Sequence, residues 1–161
     1  MLVDVIQQED DLKARSVKFV LMPEAWNGFV DNLFPCSWQI TKLDENGKND
    51  PRLAGRAGIY TLLVQPGIAA HSACSYLMYV GQTKNLRKRF YNYLVTEKRT
   101  RKRPNVFRLL NVYEGYIWFC FTEVDSDRLD EYENALMNAY IPPVNAESRM
   151  PAEIRPSIGA F

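Results

Sequence analysis

The hydrophobic positions of this chain follow two rhythms. From Gly58 to Val64, and again from Ser75 to Gly81, Ile, Leu, Val and Tyr succeed one another almost without a break, which predicts two strands. Gln65 to Cys74, with Pro66-Gly67 inside it, predicts the loop between them. Tyr116 to Val124 is apolar enough to predict a third strand, central in its sheet. After Thr83 the period changes to that of a helix. Leu86, Phe90, Tyr93 and Leu94 form one stripe up to about Val95, with Thr83 or Asn85 placed to cap it. Lys88 faces away from that stripe and Arg89 lies beside it, where packing can hold a guanidinium in place. A short helix is predicted over residues 105–113, and a last one from near Ser126 to just before Pro142-Pro143.

That last helix carries an anomaly. Its stripe is Leu129, Tyr132, Leu136 and Tyr140, and Glu133 projects only about 40° from Leu129, inside the stripe, whereas Asp127, Asp130 and Glu131 point elsewhere. A carboxylate on a buried face costs several kcal/mol unless a cation answers it.

The first fifty residues are less regular. Val17 to Met22 predicts a strand and Pro23 to Phe34 a helix, with Trp26, Phe29, Val30, Leu33 and Phe34 as its apolar face. Ser37 to Leu43 predicts another strand, and the polar cluster Asp44 to Pro51 marks a boundary. Fifty residues bury too little surface to stand alone. The organisation expected is therefore an N-terminal α/β extension (1–50) packed on a central domain (51–145), followed by an irregular tail (146–161).

Composition narrows the class. Of 161 residues, 47% are apolar and 24% charged, the balance of a folded domain. No apolar run reaches the ~18 residues of a membrane span, and the N-terminus turns acidic by Glu9 without a secretory pattern. Three scattered cysteines (Cys36, Cys74 and Cys120) and one histidine (His71) argue for free thiols, a cytoplasmic setting and no zinc site. The net charge of +1 conceals a segregation: Lys84 to Arg108 holds ten basic residues against one acid, Glu97, while the remainder holds ten basic and eighteen acidic. Half the cations in 25 residues predict a phosphate-binding surface, with Lys84, Arg87, Lys88, Lys98, Arg99, Arg101, Lys102 and Arg103 as its contacts.

Several short motifs lie across these elements: Gly58-Ile59-Tyr60; Tyr79-Val80-Gly81-Gln82-Thr83-Lys84-Asn85-Leu86-Arg87-Lys88-Arg89; and Glu133-Asn134-Ala135-Leu136-Met137, followed by Pro142 and Asn145. In this order and spacing, from roughly Gly55 to Asn145, the chain resembles the GIY-YIG nuclease superfamily. The resemblance implies an α+β fold, a small, largely antiparallel three-stranded sheet flanked by helices. It further implies a metal-dependent DNA endonuclease in which Glu133 binds one Mg²⁺ (or Mn²⁺) ion. Tyr60 would take a proton from the attacking water, Arg89 would stabilise charge on the phosphoryl oxygens, and Tyr79 would position the phosphate or the water. Gly58, Gly81 and Asn145 would be structural. Phosphate contacts alone do not distinguish DNA from RNA, and double-strand cleavage by a single-site enzyme would call for a homodimer or two successive events. The rival expectation is a nucleic-acid-binding or interaction module that keeps the fold without turnover. Three departures from the family pattern stand out: an eighteen-residue link, Thr61 to Met78, between the tyrosine motifs; Gln82 where many members carry Lys; and no recognisable second DNA-binding module such as a zinc knuckle, helix-hairpin-helix or helix-turn-helix.

Overall fold

The structure is a computed structural model that describes residues 12–13, 15–27, 36–67 and 73–145. The expectations for residues 28–35, for the middle of the 65–74 loop with His71, and for the tail 146–161 lie outside the described residues.

Each apolar run after residue 57 becomes a strand: β2 (Gly58–Val64), β3 (Tyr76–Thr83) and β4 (Ile117–Glu123). They join β1 (Gln39–Lys42) in an antiparallel sheet of order β1-β4-β2-β3. The fold is α+β as expected, but among the described residues the sheet has four strands rather than three. The fourth comes from the N-terminal segment, where Gln39 to Lys42 pair with Phe121 to Trp118. β4 is interior, as its composition predicts, and so is β2. Residues 16–22 are not the predicted strand but a chain without regular structure. Val17 packs on the main core, and Val20 and Met22 pack against Ile141. Just before this stretch the chain is tied by a tertiary bond from the Tyr113 hydroxyl to the Arg15 carbonyl at 2.8 Å. Helix α1 (Pro23–Asn27) follows.

The alternation of β2 and β3 assigns the two faces of the sheet. Tyr60, Leu62, Tyr79, Phe119 and Phe121 belong to a large core with Leu86, Phe90 and Tyr93, which come from helix α2 (Leu86–Asn92) and the single π-helical turn Tyr93–Glu97 that continues it. Val106, Leu109 and Leu110 of helix α3 (Pro104–Val112) complete that core. Ile59 and Val80 form a second cluster with Leu129, Tyr132, Leu136 and Met137 of helix α4 (Leu129–Tyr140). The sheet is therefore a middle layer, with α2 and α3 on one side and α4 on the other.

Local chemistry fixes the boundaries. The Asn85 side chain caps α2 by accepting from the Lys88 amide at 2.8 Å. At the end of α4, Ile141 adopts a left-handed backbone (φ 46°), and the two prolines that follow prevent the helix from continuing. The turn delivers Val144 and Asn145 to β3. The Val144 amide donates to the Met78 carbonyl at 3.0 Å. The Asn145 side chain accepts from the Val80 amide at 3.0 Å and donates to the Val80 carbonyl at 2.8 Å. The edge strand is thus satisfied by a side chain imitating a neighbouring strand.

Candidate active site

Tyr60 lies at the centre of the site because β2 is paired on both sides, opposite Gly81 of β3 and Phe121 of β4. Its ring stacks on Phe119 (centroids 5.0 Å apart) and lies 6.2 Å from the ring of Tyr79. The glycine of the second motif is a consequence of that ring. A methyl group at Gly81 would fall 2.5 Å from the Tyr60 hydroxyl oxygen and 2.7 Å from Cε1 of Tyr79, closer than side chains can approach. At Gly58 a methyl group would meet the Thr122 carbonyl oxygen and the Leu86 side chain. Both motif glycines are spaces reserved for a neighbour.

Tyr79 reaches the same face through an irregularity. The β2–β3 register shifts between Leu62 and Leu63, passing from Tyr79 to Leu77 and leaving Met78 out of the ladder. An extra residue of this kind re-aims the side chains beside it, and both Met78 and Tyr79 join the large core.

The polar groups form one connected set. Nε of Arg89 donates to the Tyr60 hydroxyl at 2.8 Å, and the Tyr60 and Tyr93 hydroxyls share a hydrogen bond of 2.9 Å. The Arg89 guanidinium lies 4.9 Å from the centre of the Tyr93 ring. Glu97 accepts from Nε of Arg103 at 3.2 Å and from its Nη2 at 2.5 Å, and lies 3.6 Å from Nη1 of Arg89. The remaining terminal nitrogen of Arg103, Nη1, donates to the Tyr79 hydroxyl at 3.3 Å. Burial pushes the Tyr60 phenol well above its ordinary range, reinforced by Tyr93 and Tyr79, while Arg89 pulls the other way. Burial also raises Tyr93. In the free protein Tyr60 is therefore a neutral phenol, and a role as base calls for further positive charge arriving with substrate or metal.

Glu133 is 3% exposed on α4, and its Oε2 accepts from the Gln82 amide at 3.0 Å. The same amide also donates to Asp130, one turn earlier on α4. Gln82 is thus a neutral group that links two carboxylates.

Tyr60, Tyr79, Arg89, Glu133 and Asn145 line one cleft of about 610 Å³, together with Gln82, Lys102 and Arg103. The basic residues of the predicted phosphate surface divide. Lys102 and Arg103 line this cleft, whereas Arg87 and Lys88 line a separate groove with Tyr91, and Nε of Arg87 is held by the Leu53 carbonyl at 2.7 Å. Lys98 pairs with Glu114. Lys84, Arg99 and Arg101 are exposed, Arg101 lying over the Phe107 ring. Sequence reasoning missed Tyr93, read only as part of an apolar stripe, and Glu97, read only as a lone acid. The signal for Glu97 was present: it is the one carboxylate in the basic run, two turns beyond Arg89.

Among the described residues no group of three or more His, Cys, Asp or Glu side chains is set to hold a metal. Magnesium needs less. It retains several waters and takes one or two carboxylates plus oxygens of the substrate phosphate. Glu133 on the cleft wall, with Asp130 one turn away, fits that sparse donor set.

The sequence model of the GIY-YIG catalytic domain matches residues 67–145 of this chain, a span that holds Tyr79, Arg89, Glu133 and Asn145. The matched span begins after β2, and the β2–β3 ladder brings Gly58-Ile59-Tyr60 to it. Similar solved structures include the N-terminal GIY-YIG endonuclease domain of UvrC from Thermotoga maritima bound to magnesium. That domain is 18% identical, with 58% of this chain and 88% of that chain covered and a TM-score of 0.41. A point mutant of the same domain, bound to its catalytic divalent cation, is 17% identical, with 58% and 87% covered and a TM-score of 0.41. A search of curated proteins finds no significant match.

Proposed function

We propose that this protein is a divalent-metal-dependent DNA endonuclease that hydrolyses phosphodiester bonds in the Tyr60–Tyr79–Arg89–Glu133 cleft. The observation that carries the proposal is convergence. Four side chains from β2, β3, α2 and α4, spread over 74 positions of sequence, line one cleft. Packing alone gives no reason for a guanidinium, two phenols and a buried carboxylate to share a wall.

In this reading Arg89, fixed by the Tyr60 hydroxyl and by the Tyr93 ring, binds the phosphoryl oxygens and stabilises the charge that builds on them. Tyr60, joined to Tyr93 through its hydroxyl, holds or relays the proton of the attacking water. Tyr79 orients the phosphate. Glu133 holds the metal, which when bound supplies Lewis-acid stabilisation of the phosphate and of the leaving oxygen. The central domain (51–145) carries the chemistry, and residues 1–50 support it through β1. DNA is the substrate favoured, with backbone contacts from the basic segment. Free Cys36, Cys74 and Cys120 suit action inside the cell.

The test is cleavage of supercoiled plasmid in Mg²⁺. Nicking by the wild type, its loss in EDTA, and a rate at least about 100-fold lower for Glu133→Gln are the expected results. Equal cleavage by Glu133→Gln would remove the metal-ligand assignment. Binding without cleavage of any nucleic acid would favour the inactive binding module.

A further inference from the structure

One residue of the basic loop that follows the turn Tyr93–Glu97 points inward to the tyrosines of the cleft. Lys98, Arg99, Arg101 and Lys102 are paired, exposed or at the rim, whereas Arg103 is turned inward onto Tyr79 and Tyr93, its guanidinium 5.9 Å and 5.6 Å from their ring centres. We propose that Arg103 is a second phosphate-binding guanidinium of the active site, held beside Tyr79 by Glu97. The inference rests on the nuclease reading and deepens it.

Three observations support this assignment. Glu97 engages Nε and Nη2 of Arg103, one full edge of the fork, which leaves Nη1 directed at the Tyr79 hydroxyl and the cleft. A guanidinium so held presents its remaining donors in a fixed direction, the requirement for binding a phosphate oxygen without reorganisation. Secondly, Glu97 also lies 3.6 Å from Nη1 of Arg89, so one carboxylate stands between two guanidinium groups. The trio keeps a surplus positive charge, which an anion in the cleft can take up. Thirdly, Gln82 is neutral and its amide is spent on Glu133 and Asp130, so that end of β3 brings no cation of its own to the cleft. Arg103 supplies a cation at Tyr79 from the opposite layer. The wide turn Tyr93–Glu97 makes this arrangement: it sends Tyr93 to Tyr60 and Glu97 to Arg103, and such turns recur at functional sites.

Two measurements test the proposal: single-turnover cleavage of plasmid in Mg²⁺ at saturating protein, and binding of a short DNA duplex without metal to Glu133→Gln protein across a salt series. Arg103→Ala is expected to lower the cleavage rate about 100-fold or more, and Arg103→Lys to recover part of it, keeping the charge but not the fork. In the binding series, Arg103→Ala is expected to reduce the slope of log affinity against log salt by about one phosphate contact. A full rate with an unchanged slope would overturn the inference and leave the nuclease reading intact. A slower rate with an unchanged slope would mark a merely structural arginine and overturn it as well. If the wild type cleaves no nucleic acid the nuclease reading fails, and the salt slope alone decides whether Arg103 contacts phosphate. If Arg103→Ala does not fold, Arg103→Gln, neutral and closer in shape, reads the same slope.

Discussion

Tyr60 is the residue on which most of the site depends, and its state follows from what surrounds it. Sealed between Phe119, Tyr79 and Tyr93, its phenol loses the water that would stabilise a phenolate, and its ionisation is raised well above the ordinary value of 10.0. A group whose ionisation is raised by folding contributes stability that is fully present below the unfolded value and is lost as pH rises through the folded one. Thermal unfolding followed from pH 9 to 11 should therefore show stability falling above about pH 10, and falling less steeply in Tyr60→Phe. The residual fall belongs to Tyr93, raised in the same direction. Tyr60, Tyr79, Arg89 and Glu133 were legible in the sequence because each sits at a fixed interval within a strand or helix, so that spacing translates into direction. Tyr93 and Glu97 were not. Their directions depend on one π-helical turn, and a period of 3.6 residues does not describe a turn that is wider than that.

At the scale of elements, the β2–β3 hairpin explains why the long link between the tyrosine motifs is tolerated. The link departs from Val64 and returns at Tyr76, while Tyr60 pairs with Gly81 nearer the other end. Four residues of strand, roughly 13 Å, separate Tyr60 from the start of the loop. Loop length can therefore vary without moving either phenol, and the sequence showed the anomaly without showing its harmlessness. The strands were legible because β-rich runs bounded by turn residues are local signals. The predicted strand at 17–22 is instead a packed segment, its apolar side chains taken up without a ladder, Val17 by the main core and Val20 and Met22 by Ile141. At the β3 edge of the sheet, Asn145 performs with one amide what a fifth strand would do with its backbone. Asn145→Ala should leave the Val80 amide and carbonyl unpaired and cost about 2–3 kcal/mol, measured by urea unfolding, with faster hydrogen exchange at Val80.

For the whole molecule, the charge segregation read from the sequence turns out to be finely divided. Lys84 to Arg108 is one basic segment in sequence, yet it serves the cleft, a separate groove and an ion pair to Glu114. Neutralising Lys98, Arg99, Arg101 and Lys102 together should weaken duplex binding and flatten its salt dependence by about three phosphate contacts rather than four. Lys98 is already committed to Glu114, and filter binding over a salt series gives the number. No helix among the described residues is long and apolar enough to cross a membrane.

The order β1-β4-β2-β3 has a consequence in time as well as in space. Tyr60 is held by ladders on both sides, so exposing it requires the sheet itself to part, among the slowest openings a domain undergoes. Arg103 is held in the cleft by side-chain bonds to Glu97 and Tyr79 and sits on a turn, where local opening is fast. The two walls of the cleft therefore keep different clocks. Amide exchange at Tyr60 should report the parting of the whole sheet, whereas exchange around Arg103 reports only the local release of its side-chain bonds.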